Sequence, residues 1–124
     1  MMQRRLLSLE YQGFLLSGEL YPSDIPIDHD SANGIVGNEI CITVPCRYWN
    51  EGPTELVVWS AGEMAEDGTD PDFEGWLQTP RRSVICSDVN EIAFLVAEAA
   101  DVKTRVRIWL DVPAEPAAVR IALG

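Results

Sequence analysis

The sequence predicts an all-β protein, an antiparallel β-sandwich of about eight strands, and three observations carry that prediction. Apolar and polar residues alternate with a period of two in several segments, most cleanly in 102–110. Val, Ile, Thr, Phe and Trp fill these runs, and such side chains pack well on a pleated surface. Gly, Pro, Asn and Asp separate the runs at short intervals, and no stretch longer than about ten residues has to be helical. The 124 residues make a single domain, residues 1–124, long enough to bury roughly two thirds of the unfolded chain's surface. Neither a disulfide nor a metal is required to hold such a core.

In chain order, residues 5–11 alternate, with Leu7, Leu9 and Tyr11 on one face and Leu6, Ser8 and Glu10 on the other. Gly13 allows a bulge before 14–16 continue the same strand. The segment GELYPSDIPIDHDSANG holds two prolines, two glycines and four acids, and reads as a long loop pinned by Ile25 and Ile27. EICITVPC, within 38–46, is apolar on both faces like a central strand, and Pro45 ends it because proline cannot donate to a ladder. NEGP is a turn, and ELVVWS (55–60) is the next strand. Residues 73–78 and 82–87 are short strands parted by Thr79 and Pro80. After the turn SDVN, residues 91–99 place Ile92, Phe94 and Val96 on one face; Ala, Glu and Leu there also suit a helix, but the flanking turns favour a strand.

The cleanest alternation spans 102–110. Val102, Thr104, Val106, Ile108 and Leu110 face one way, and Lys103, Arg105, Arg107 and Trp109 face the other, where Trp109 is expected to be partly exposed. DVPAEPA is a proline-rich linker, and 118–123 closes the fold with Val119, Ile121 and Leu123 inward.

Charge narrows the function classes. Twenty acids against nine bases give a formal net charge of −11, which repels nucleic-acid backbones and anionic membranes. The acidity is uneven: residues 6–80 carry fourteen acids and a single base, Arg47, whereas 81–124 carry six of each. Cys41, Cys46 and Cys86 lie in or beside apolar runs and read as reduced, buried thiols. No segment reaches the roughly 20 apolar residues that span a bilayer, and Glu10 and Gln12 interrupt the N-terminal leucines, so a cytoplasmic protein without a leader is expected.

Catalytic and metal patterns are thin. His29, the one histidine, lies in the acidic segment IDHDSANG, with no G-x-S-x-G or reactive-cysteine context. Asp28, Asp30, Asn33 and Glu39 approach a calcium-loop spacing but put Ala32 and Asn33 where an oxygen ligand and a glycine belong. DGTDPD (67–72) offers three close carboxylates, and calcium on a sandwich loop is reasonable physically. Cys41 and Cys46 lack the paired C-x-x-C spacing of zinc sites. Paired carboxylates for glycoside hydrolysis can be drawn from twenty acids at will, which makes that signal empty. No catalytic residue, metal site or cofactor is assigned. Trp49, Trp59, Trp76 and Trp109 are many for this length; Trp59 and Trp76 read more readily as core than as binding residues.

The stretch EMAEDGTDPDFE carries Glu63, Glu66, Asp67, Asp70, Asp72 and Glu74 and no base. Such a loop either stays solvated or meets something cationic, imitating a row of phosphates or steering a basic protein. If it opens on the same side as the acidic 19–30 loop, the two make one negative surface. Asp67, Asp70, Asp72 and Glu74 are the first candidate partner contacts, followed by Asp28, Asp30, Glu63, Glu66 and Trp76.

The order of segments also resembles a known family. A first strand with Tyr11 and Phe14, a proline- and acid-bearing loop, central strands ICITV and ELVVW, and later RRSVICSDVNEIAFLVA are similar in outline to the competence protein J family of bacterial nuclease inhibitors. The resemblance implies a β-sandwich that, like toxin-immunity proteins, occludes a cationic nuclease and carries no catalytic residues. The expectation is therefore a non-enzymatic acidic protein that blocks a basic nuclease or toxin. The alternative class is a calcium-dependent or carbohydrate-binding sandwich module using DGTDPD and exposed tryptophans.

Overall fold

The computed structural model describes residues 2–9, 12–20, 22, 25–26, 33–60, 69–90 and 92–124. Its strands are β1 (Met2–Leu7), β2 (Gly13–Ser17), β3 (Val36–Gly37), β4 (Cys41–Pro45), β5 (Thr54–Trp59), β6 (Phe73–Gln78), β7 (Ser83–Ser87), β8 (Ala93–Glu98), β9 (Lys103–Leu110) and β10 (Ala118–Leu123), with one 3-10 turn at Trp49–Glu51. They form two five-stranded sheets in the orders β1-β5-β10-β9-β6 and β3-β4-β2-β7-β8. This is an all-β sandwich, as the alternation requires: each strand has one apolar face to bury, and two sheets face to face bury both.

The core follows the period of two. Phe14, Leu16, Ile42, Val44, Val84, Cys86, Leu95 and Ala97 enter from one sheet, and Leu56, Val58, Leu77, Val106, Ile108, Val119, Ile121 and Leu123 from the other. Full burial of each large aliphatic chain contributes about 1.5–3 kcal/mol relative to exposure. Phe94 packs edge-on against Phe14 with ring centroids 5.7 Å apart. Gly18 lies against the backbone of Gln78 and Thr79, where a Cβ would collide with the Gln78 carbonyl oxygen.

Several sequence expectations need correction. The first run is two strands, not one with a bulge: β1 pairs with β5 in one sheet, while β2 pairs with β4 and β7 in the other. Leu7 and Phe14 both reach the core, but from opposite layers. The two-residue β3 had too short an apolar signature to stand out. The sheets are not wholly antiparallel, because β10 runs parallel to β5, Val119 beside Leu56 and Ile121 beside Val58. On β8 the buried face is Leu95 and Ala97; Ile92 and Val96 lie outside, 64% and 54% exposed.

β5 and β6 run the same way, with β10 and β9 between them. Just ahead of β6, the Thr69 carbonyl accepts the Trp109 indole N–H at 3.0 Å, and Trp109 alternates with the core residue Ile108. Trp109 is therefore buried, at 5% exposure, on the outer side of the sheet. The guanidiniums of Arg107 and Arg120 each lie 5.6 Å from its ring centroid. Trp76 differs in the opposite sense, being 54% exposed and not a core residue.

Candidate partner-binding surface

Of the residues singled out from the sequence, Asp70, Asp72, Glu74 and Trp76 are described, whereas Asp28, Asp30, Glu63, Glu66 and Asp67 lie outside the described residues, as does His29. Asp70, Asp72, Glu74 and Trp76 are exposed and follow one another along the entry to β6 and its outer face.

The ends of the two acid-bearing connections meet. Asn33 closes the connection from β2 to β3, and its Nδ2 donates to the Asp72 carbonyl at 2.9 Å. Asp72 closes the connection from β5 to β6 and is bonded three ways: its N–H donates to the Ile108 carbonyl at 2.8 Å, its carbonyl accepts from Asn33, and its Oδ2 accepts the Leu110 N–H at 2.7 Å. The β9–β10 loop joins the same corner, since the Ala114 N–H donates to the Asn33 carbonyl at 3.0 Å and Gln12 Nε2 donates to Glu115 Oε1 at 2.9 Å.

Strand directions put Glu51, Asp70, Asp72, Asp88, Asp111 and Glu115 at one end of the sandwich, with Arg47 as the base among the described residues there. Asp111 and Glu115 belong to the stretch read as a linker, and their place in this acidic end comes from the β9–β10 turn folding against Asn33. The N-terminal side of that turn is fixed by Asp111, whose Oδ1 accepts the N–H groups of Val112 at 2.9 Å and Ala118 at 3.1 Å.

Two of the three described acidic candidates already have partners. The Asp72 carboxylate is held by the backbone of Leu110, and Glu74 Oε2 accepts from Arg105 at 2.7 Å in a half-exposed ion pair. Asp70 stands exposed beside them. Farther along β6, Trp76 lies opposite Arg105 in the β6–β9 register, and Lys103 Nζ sits 5.2 Å from its ring centroid. The outward alternation of β9 made its cations legible; that β6 is their neighbour was not, because strand pairing is non-local.

Among the described residues no group of three His, Cys, Asp or Glu side chains is arranged to hold a metal ion. All three cysteines are buried. Burial alone pushes the Cys46 thiol up to about 11 and the Cys86 thiol up to about 12, so neither supplies a thiolate near neutral pH. A shallow pocket lined by Gly18, Glu19, Pro22, Ile40, Gln78 and Pro80 opens at the end of the sandwich opposite Asp70 and Asp72. Among the described residues no helix is long and apolar enough to cross a membrane.

Fold and surface together define a class: a two-sheet sandwich with one carboxylate-rich end. No protein-family model matches the sequence, and no curated protein matches it. A solved structure shares the fold, the crystal structure of ComJ from Bacillus subtilis, an inhibitor of the DNA-degrading activity of NucA. It superposes with a TM-score of 0.64 over 99% of this chain and 97% of ComJ, at 10% sequence identity. At that identity the likeness is one of fold, and it is the fold that the resemblance in the sequence implied.

Proposed function

We propose that this chain is a single-domain, non-enzymatic inhibitor that works in the cytoplasm and blocks a basic, DNA-degrading nuclease by covering its cleft. The observation that carries the reading is the likeness along nearly the whole chain to ComJ, which inhibits the nuclease NucA. The acid-rich end supports it independently. A nuclease binds phosphates through cationic groups, and carboxylates clustered on a rigid sandwich complement the same groups. In this reading Asp67, Asp70, Asp72 and Glu74 meet the cationic wall of the partner, Glu63, Glu66, Asp28 and Asp30 extend the negative field, and Trp76 adds an aromatic contact.

The test is direct. The immobilised chain is exposed to extract of the organism that encodes it, and the retained proteins are assayed for DNA degradation with and without added free chain. A retained nuclease that the free chain inhibits at one-to-one stoichiometry is expected. Recovery of no DNA-degrading activity, or of a nuclease that the chain leaves fully active, would overturn the proposal.

A further inference from the structure

The acidic end accounts for one sign of charge, but the outer face of the sheet that carries β6 has the other. Lys103, Arg105 and Arg107 on β9, Arg120 on β10 and Arg4 on β1 all occupy outward positions of that sheet, five of the nine bases of the chain. Along β6 the sign changes within a few residues. Asp70, Asp72 and Glu74 come first; then Trp76, roughly 7 Å beyond Glu74, lies against Lys103 and opposite Arg105. Trp76 is more than half exposed although it is among the largest apolar side chains of the molecule. A basic surface alone complements the first half of this stripe and repels the second.

Resting on the inhibitor reading above, we infer that the β6–β9 stripe is a two-signed contact surface for a nuclease cleft, in which Asp70 and Glu74 meet the cationic wall and Lys103 and Arg105, around the Trp76 anchor, meet the carboxylates that hold the partner's divalent metal. The chemistry of such a partner supplies both signs. Phosphodiester cleavage assisted by a metal uses carboxylates as ligands on the cleft floor and cationic side chains on its walls. An inhibitor that fills the cleft faces both at once. A large aromatic ring flanked by cations at the centre of the stripe has the composition of an interface hot spot. The stripe is pre-ordered, since Glu74 and Arg105 are paired at 2.7 Å and the ring is fixed by its Lys103 contact.

The probe is the nuclease retained by the chain in the preceding experiment, assayed on linear duplex DNA over a range of Mg²⁺ concentrations. Lys103→Glu and Trp76→Ala are each expected to weaken inhibition by roughly tenfold or more, with far-ultraviolet circular dichroism and the melting temperature close to wild type. Wild-type inhibition is expected to weaken as Mg²⁺ rises, and this dependence to flatten in Lys103→Glu. If wild type inhibits the nuclease and both variants inhibit it equally well, or if inhibition is independent of Mg²⁺, the inference is overturned while the inhibitor reading stands. If wild type inhibits no nuclease, the inhibitor reading itself falls and the stripe falls with it. Lys103→Arg, which keeps the charge, is expected to inhibit within about threefold of wild type; a loss as large as that of Lys103→Glu would also overturn the inference.

Discussion

Trp109→Ala tests whether the outer face of the β6-bearing sheet is structurally closed. On the alternation of β9 this tryptophan points away from the core, and an outward tryptophan open to water would tolerate truncation within about 0.5 kcal/mol. Instead it is 5% exposed, donates its indole N–H to the Thr69 carbonyl at 3.0 Å, and lies within 5.6 Å of two guanidiniums. Replacing a buried aromatic side chain with alanine costs about 3–5 kcal/mol. The arginine stems beside the ring can fold partly into the gap, which argues for the lower end, about 3 kcal/mol. Trp109→Phe keeps most of the apolar body and loses one hydrogen bond of about 1 kcal/mol with part of the cation–π attraction, for about 1–2 kcal/mol in all. Urea unfolding followed by circular dichroism reads both values from the midpoint, with the slope unchanged. At about 4 °C per kcal/mol for a chain of this size, the alanine variant melts about 12 °C lower. Should Trp109→Ala unfold within 0.5 kcal/mol of wild type, the closed outer face would be refuted.

Three further outcomes follow from particular contacts. Asp72→Ala removes the acceptor of the Leu110 N–H and is expected to destabilise by about 1–2 kcal/mol, the charged hydrogen bond being discounted for exposure, whereas Asp72→Asn retains an acceptor and costs less than about 1 kcal/mol; equal effects in urea unfolding would show that charge, not the bond, matters there. Neutralising Asp67, Asp70 and Asp72 together is expected to slow association with the nuclease and to flatten its salt dependence in stopped-flow measurements, and an unchanged rate at low salt would remove the steering role. The cysteines set an alkaline limit. Below about pH 7.5 the Cys46 and Cys86 thiols are protonated both folded and unfolded and add no pH dependence. Above it the unfolded chain loses protons that the folded chain holds until about 11 at Cys46 and about 12 at Cys86, so stability falls as pH climbs through that window. Cys86→Ala should make the decline shallower, and native protein at pH 8 should react with a thiol reagent only as fast as it unfolds. Rapid native labelling would contradict the burial.

Local pattern determined a large share of this protein. The β-branched runs ICITV and ELVVW specified strands, and period-two alternation through 102–110 and 118–123 specified inward faces as well, because side chains on a strand alternate whatever the partner strand is. Charge counts likewise specified an acidic molecule with a basic β9. Pairing, direction and crossing were decided by tertiary structure, since they depend on residues far apart in the chain. Only the folded chain sets the Thr69 carbonyl and the guanidiniums of Arg107 and Arg120 against Trp109 and buries a residue that alternation marks as exposed. Only there do Asn33 and Asp72, the described ends of two connections, come to one corner, and only the β6–β9 register sets Trp76 beside Lys103 and Arg105. Asp70, Asp72 and Glu74, which read as part of a negative loop in sequence, are in the folded chain one end of a stripe whose other end carries Lys103 and Arg105.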